Sequence, residues 1–183
     1  MLLPPASLDS FTIAVLPDTQ IYPDHHPELF YAQTQFLRTH ARQLGIAAVV
    51  HVGDVTNHNH PNEWEVARRA FADIDAASLP LIVVTGNHDL GPKGAANSRV
   101  TGLDDIRQVQ PAHTALGFLG TYDTSLANSA YAINTTMGSV LVLGLEFAPR
   151  PEAVAWAKQL LAETPHTLAV VATHAFTYHD DTL

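Results

Sequence analysis

The sequence predicts an α/β fold in which β-strands are layered against helices. Apolar runs rich in β-branched residues alternate with stretches whose apolar side chains recur at the 3.6-residue period of a helix. The chain has 183 residues, which suits a single domain. Because helical stretches separate most of the strands, we expect parallel strands joined by right-handed crossovers, arranged in layers around one core.

The strands are predicted from six apolar runs. Four of them are almost continuous in hydrophobicity, a pattern typical of strands that are buried on both faces. A weaker run at residues 130–135 is expected to pair with residues 140–145 through a turn at Met137 and Gly138. The stronger runs are residues 11–16, 46–52, 79–85, 140–145 and 167–173.

Three helices are predicted between the strands, each with a recognisable start. Pro27 opens the first helix, Asn62 is expected to cap the second, and Pro151 opens the third. Residues 89–128 are rich in Gly, Pro, Asn and Asp, and we expect a long loop there with one short helix at residues 104–109. Loops of that length are usually functional or mobile.

Composition and charge exclude several classes of function. The formal net charge is −9, and the 9 basic residues are scattered, so we expect no binding of long nucleic acids. There is no cysteine, so any metal site among the 11 histidines and many aspartates must use imidazole and oxygen ligands. No apolar run is long enough to span a membrane, and residues 1–9 do not resemble a secretion signal, which leaves the compartment unknown.

Polar residues with metal-binding side chains follow four of the predicted strands. In open α/β sheets, ligands gather at the carboxyl ends of the strands, so these side chains are expected to meet at one edge. Two carboxylates, an amide oxygen and an imidazole suit Mn, Fe or Zn, and a cation would relieve the repulsion between the carboxylates. The residues are Asp18, Asp54, Asn87, His88 and His174.

Each of these strand ends also has an ordinary structural explanation. An aspartate after a strand commonly forms a turn or caps a helix. A Gly-Asn-His-Asp sequence is equally explained as a turn that holds a hydrogen-bonded histidine. The joint occurrence of such residues after four core strands is what favours a shared site.

The four strand ends read Asp18-x-Gln20, Gly53-Asp54, Gly86-Asn87-His88-Asp89 and Thr173-His174. Together they resemble the motifs of the calcineurin-like metallophosphoesterase superfamily, from about residue 11 to the end of the chain. The resemblance implies an αββα sandwich around two divalent metal ions, such as Mn, Fe or Zn. It also implies hydrolysis of a phosphomonoester or phosphodiester by attack of a metal-bridging hydroxide.

The resemblance further implies a metal-binding role for five residues. Asp18 would bind one metal ion and Asp54 would bridge both. Asn87 and His174 would bind the second ion. Gln20 stands where the family usually has a histidine, and its amide oxygen would be a weaker ligand than imidazole.

Other residues are expected around this metal centre. By the same resemblance, His88 would contact the phosphate or protonate the leaving oxygen, and Asp89 would orient it. Asn57 and His58 are candidate substrate contacts, because the loop after the second strand is expected to rim the site. His51 lies inside that strand and is interpreted as a satisfied core residue or as a partner of the site residues.

The resemblance has a departure at the C-terminal end. The family carries a further Gly-His motif downstream, whereas this chain ends nine residues after His174 without one. We therefore expect a single domain over residues 1–183 that lacks its C-terminal part. The alternative is a non-catalytic or inactive metal-binding fragment of such an enzyme. Arg150 is expected to pair with an acidic residue rather than to bind phosphate.

Overall fold

Two β-sheets face one another, and helices pack against their outer faces. The computed structural model describes residues 10–107 and 116–175. The strands are β1 (Thr12–Leu16), β2 (Ile46–His51), β3 (Leu81–Val83), β4 (Phe118–Thr121), β5 (Ser129–Thr135), β6 (Gly138–Gly144) and β7 (Leu168–Ala172). The helices are α1 (Tyr22–His25), α2 (Pro27–Leu44), α3 (Pro61–Ala76), α4 (Leu103–Ile106) and α5 (Pro151–Glu163).

The two sheets differ in strand direction. The first has the order β1-β2-β3 and is parallel throughout. The second has the order β4-β5-β6-β7, in which β5 is antiparallel to both β4 and β6, and β7 is parallel to β6. The predicted pairing of residues 130–135 with residues 140–145 is confirmed, since β5 and β6 form a hairpin with Thr135 opposite Gly138.

Three apolar layers hold the sandwich together, one of them between the second sheet and α5. Between the sheets, Val50 and Ile82 belong to the same cluster as Tyr131 and Val142 of the second sheet. Outside the first sheet, the buried rings of α2 and α3, such as Phe71, pack onto β2 and β3. Full burial of one such side chain contributes about 1.5–3 kcal/mol. The α/β fold with two layered sheets and helices is therefore confirmed.

Helix α3 begins two residues earlier than the sequence indicates. Its cap is His60, whose Nδ1 accepts the backbone N–H of Asn62 at 3.3 Å. The Glu63 carboxylate returns the contact by accepting the His60 N–H at 2.9 Å. This reciprocal pairing satisfies backbone donors at the helix start. The expected cap at Asn62 is thus wrong, because Pro61 already occupies the first helical position.

Strand β7 departs from its predicted surroundings. Its apolar run suggested burial on both faces beside the other parallel strands, yet it joins the second sheet and pairs with β6. Leu168 and Val171 are about half exposed.

The short helix expected at residues 104–109 is α4, and residues 108 and 109 lie outside the described part. Among the described residues, no helix combines the length and apolarity needed to cross a membrane.

Candidate metal centre

The loops after β2 and β3 approach each other closely around Asp54. Asp54 has a left-handed backbone with φ of 48°, and Gly53 before it has φ of 98°. A Cβ atom at Gly53 would lie 2.7 Å from the backbone nitrogen of Gly86, and a Cβ atom at Gly86 would collide with the Asp54 carboxylate. Glycine at both positions therefore lets the two loops meet and leaves room for the carboxylate.

Three predicted ligands come together at this point. Asp54 Oδ2 lies 3.6 Å from His174 Nε2, and Asp18 Oδ1 lies 3.8 Å from His174 Nδ1. One ligand atom from each of the three residues can be chosen so that all lie within 4.8 Å of one another. The carboxyl ends of strands from both sheets thus supply one compact donor set.

The backbone fixes the ring of His174. Its Nδ1 is 2.9 Å from the carbonyl oxygen of Val52, which follows β2. A carbonyl oxygen only accepts hydrogen bonds, so Nδ1 carries the proton and donates it. In the neutral imidazole, Nε2 is then left with its lone pair facing Asp54. This is the arrangement in which a histidine can bind a metal ion.

The electrostatics of the donor set favour a cation. The pKa of Asp18 is raised above its ordinary value of 3.8, chiefly because the carboxyl group loses solvent. The nearby charge of His174 opposes this rise, and that of Asp54 adds to it. The Asp54 side chain is 6% exposed and that of Asp18 is about half exposed, so the two carboxylates converge at a partly buried position. A divalent ion neutralises both, and the residues present fit such an ion.

Gln20 is engaged with the neighbouring loop. Its Nε2 donates a hydrogen bond to Asn57 Oδ1 at 2.9 Å. Asn57 Nδ2 lies 3.3 Å from His58 Nε2, which extends the chain of contacts along the rim. The structure thus brings Gln20, Asn57 and His58 together between the loops after β1 and β2. Asn87 is half-buried and begins the 3₁₀ turn Asn87–Asp89.

A second cluster, Asp24, His58 and Glu63, also places three ligand atoms within 4.8 Å of one another. The Glu63 carboxylate in it already accepts backbone N–H groups from Asn57, His58 and the cap residue of α3. These bonds explain why the carboxylate is buried there. We therefore assign this cluster to the helix cap and not to a metal ion.

His88 is held by two hydrogen bonds, one to the Asp54 carboxylate and one to a backbone carbonyl. Its N–H donates to Asp54 Oδ1 at 2.9 Å, and its ring Nδ1 donates to the carbonyl oxygen of Asn57 at 2.8 Å. The orienting contact that the sequence assigned to Asp89 is thus made by Asn57. Because a carbonyl group belongs to every residue, side-chain identity gave no signal for this contact.

Asp89 has a different place in the structure. Its carboxylate is fully buried and accepts N–H groups from Val55, Thr56 and Gly86, as well as the Thr56 hydroxyl. Burial raises the pKa of Asp89 to about 6, and these hydrogen bonds oppose the rise. The carboxylate therefore joins the loop after β2 to the loop after β3 through residues that adjoin Asp54 in the sequence.

His51 at the end of β2 is fully buried and bonded at both ring nitrogens. Nδ1 accepts the Gly53 N–H at 3.2 Å, and Nε2 lies 3.1 Å from Thr19 Oγ1. The Thr19 hydroxyl in turn donates to the Val55 carbonyl at 3.1 Å. Sequence reasoning missed Thr19, although its position between Asp18 and Gln20 marked it as part of the site loop.

Burial of His51 makes stability depend on pH. Loss of solvent, followed by the charge of His174, lowers its pKa from the ordinary 6.5 to about 3. Below pH 6.5, His51 becomes protonated in the unfolded chain but stays neutral in the native state. The free energy of unfolding therefore decreases as the pH is lowered from 6.5 towards 3. Between pH 7.5 and 5, the wild type should lose about 2 kcal/mol relative to His51→Phe. Urea unfolding of both proteins at each pH measures this difference, and parallel curves would contradict it.

Arg150 pairs with acidic residues, as expected. Its guanidinium group lies 2.6 Å from Glu146 and 2.7 Å from Asp123. These two hydrogen bonds raise the pKa of Arg150 further above its ordinary value. Its charge is therefore neutralised by these two carboxylates.

A layered α/β sandwich with carboxylate and imidazole donors at its strand ends is the arrangement expected of the metallophosphoesterase class that the motifs resemble. A sequence model described as calcineurin-like phosphoesterase matches residues 11–181, and the chain belongs to that family. The chain is also similar to the uncharacterized protein YvnB of Bacillus subtilis (strain 168), with 28% identity over 179 residues. That match covers 95% of this chain and 13% of YvnB. Members of the family generally use divalent metal ions and act on phosphate esters.

Proposed function

We propose that the chain hydrolyses a phosphomonoester or phosphodiester with the help of two divalent ions, such as Mn, Fe or Zn. The observation that carries this proposal is the convergence of Asp18, Asp54 and His174, whose ligand atoms lie within 4.8 Å of one another. These residues come from three distant stretches of sequence. Gln20 and Asn87 are proposed as additional ligands at the same strand ends.

Asp54 is proposed to bridge the two ions. One of its oxygens accepts the His88 N–H and the other faces His174, so both oxygens are held within the donor set. When bound, the ions supply Lewis acidity toward the phosphoryl group and a nucleophile derived from water. The carboxylates of Asp18 and Asp54 offset only part of the ions' charge, which leaves the centre attractive to a phosphate ester despite the acidic chain.

His88 is proposed to hold the proton that the leaving oxygen needs. Its Nδ1–H donates to the Asn57 carbonyl, so this nitrogen is occupied and the orientation of the ring is fixed. Nε2 is then the ring nitrogen from which a proton could be transferred. General acid catalysis of this kind contributes about 10²–10⁴-fold to the rate.

His88→Ala is expected to lower turnover by about 10²–10⁴-fold while metal content stays unchanged. The backbone N–H that donates to Asp54 is retained in this variant, so the donor set keeps its shape. The measurement is kcat together with metal content by elemental analysis. His166→Ala, which removes an exposed histidine, is the matched control and should behave as the wild type. Full activity of His88→Ala would exclude the proton-donor role.

The proposed function is tested with two generic substrates. Purified chain is freed of metal with EDTA, reloaded separately with Mn²⁺, Zn²⁺ or Fe²⁺, and assayed on p-nitrophenyl phosphate and on bis(p-nitrophenyl) phosphate. We expect hydrolysis of at least one ester that disappears with EDTA and returns with metal. The ratio of the two rates separates monoesterase from diesterase activity. Metal binding without hydrolysis of either ester would instead support the alternative of an inactive metal-binding fragment.

A further inference from the structure

We propose that His51 is a positioning residue that fixes the separation of the Asp18 and Asp54 carboxylates. It does so by bonding simultaneously to the loop after β1 and to the turn after β2. This inference rests on the proposed function, because it assigns the spacing of these carboxylates to metal binding.

The hydrogen bonds of His51 have only one consistent direction. A backbone N–H only donates, so Nδ1 must accept from Gly53 and the single ring proton must sit on Nε2. Nε2–H then donates to Thr19 Oγ1, and the Thr19 hydroxyl donates to the Val55 carbonyl. Each polar atom in this series of buried hydrogen bonds has a partner, which fixes the His51 tautomer and holds the two loops together.

The imidazole ring is also fixed by packing. It packs against both Phe30 and Phe71, with ring centroids 6.1 Å and 6.0 Å away. His51 is fully buried, so rotation of the ring would leave polar atoms unpaired in an apolar layer. The two hydrogen-bonding directions are therefore constant features of the native state.

The partners of His51 are the immediate neighbours of the two carboxylates. Thr19 follows Asp18, and Gly53 precedes Asp54. The loops are joined a second time where the Thr19 N–H donates to the Asp54 carbonyl at 3.2 Å. Further hydrogen bonds between the two loops run from Thr19 to Val55 and from Gln20 to Asn57, and His51 adds a connection to the residues next to the two carboxylates. Without it, the Gly53 N–H loses its partner and the Asp18 loop gains freedom.

Three substitutions separate the connections. His51→Phe keeps a ring in the aromatic cluster and removes both hydrogen bonds. Thr19→Val removes the hydroxyl in a side chain of similar shape. His51→Asn keeps an acceptor near the Nδ1 position for Gly53 but does not reach Thr19. The readouts are Mn²⁺ affinity by isothermal titration calorimetry, thermal unfolding without metal, and the His51 tautomer by long-range ¹H–¹⁵N NMR.

We expect the NMR spectrum of the wild type to show the proton of His51 on Nε2 throughout pH 5–8. His51→Phe and Thr19→Val should each weaken Mn²⁺ binding by about 10–100-fold, the range typical of residues that orient metal ligands. The double variant should lose less affinity than the sum of the two single losses, because both changes break the His51–Thr19 hydrogen bond. His51→Asn should recover part of the affinity lost in His51→Phe.

The outcomes distinguish this inference from the proposed function. His166→Phe, a surface substitution, is the control and should bind Mn²⁺ as the wild type does. If His51→Phe binds Mn²⁺ with unchanged affinity and only its melting temperature is lower, His51 contributes to core stability alone, and the inference is overturned. If the wild type itself binds no Mn²⁺, the proposed function fails. In that case, a proton on Nδ1, or additive losses of unfolding free energy for His51→Phe and Thr19→Val, would refute the His51 connection independently.

Discussion

Replacing Asp54 by asparagine is expected to abolish metal binding at the candidate centre and, with it, ester hydrolysis. Asparagine has nearly the same shape and tolerates the left-handed backbone that Asp54 adopts at φ of 48°. Its Oδ1 can still accept the His88 N–H, so the fold of the loop is preserved. Its amide nitrogen, however, replaces the oxygen that faces His174 and cannot bind a cation.

The loss at Asp54 should be large because the metal ions contribute several kcal/mol of transition-state stabilisation. A loss of about 4 kcal/mol corresponds to a decrease in kcat/KM of about 10³-fold. The measurements are kcat/KM on the better nitrophenyl ester and bound metal per chain. Asp105→Asn removes an exposed carboxylate and is the matched control. Wild-type hydrolysis in Asp54→Asn would refute the bridging role, whereas a lower metal-free melting temperature would indicate a folding defect.

The layers of the fold were predictable because the spacing of apolar residues indicates which face of each strand or helix is buried. The runs in β1, β2 and β3 gave the parallel sheet, and the 3.6-residue periods gave the helices that cover it. The sheet to which a strand belongs is a different matter. Strand β7 is as apolar as the others, but its partner β6 is chosen by long-range packing that no local pattern encodes.

The candidate site was predictable where it depends on side chains that follow strands. Asp18, Asp54 and His174 were found in this way, since strand ends meet at one edge and their donor atoms share one chemistry. The hydrogen bonds that orient His88 and Asp89 beside this site could not be predicted. The Asn57 carbonyl holds His88, and backbone groups hold Asp89, so the sequence offered no residue type to recognise.

Asp89 is where we expect the largest effect on stability. Its carboxylate accepts three backbone N–H groups and the Thr56 hydroxyl, all at distances between 2.8 and 3.0 Å. In Asp89→Ala the N–H groups of Val55, Thr56 and Gly86 are left buried without this acceptor. Each unpaired group costs about 1–3 kcal/mol. The total loss is expected to be about 3 kcal/mol or more, which lowers the melting temperature by about 10 °C in a chain of this size.

Two further variants give this expectation its test. Asp89→Asn keeps one acceptor oxygen for Thr56 but turns an amide N–H₂ toward the donors of Val55 and Gly86, so it should recover only part of the loss. Asp104→Ala removes an acceptor of a single backbone N–H, from Leu126, and should cost about 1 kcal/mol. Urea unfolding at pH 7.5, where Asp89 is ionised, measures all three. Equal losses in Asp89→Ala and Asp104→Ala would show that the Asp89 carboxylate does not join the loops energetically. If Asp89→Ala loses the most stability and Asp104→Ala the least, the hydrogen bonds of the Asp89 carboxylate are a main contribution to holding the Asp54 turn against the 3₁₀ turn of His88.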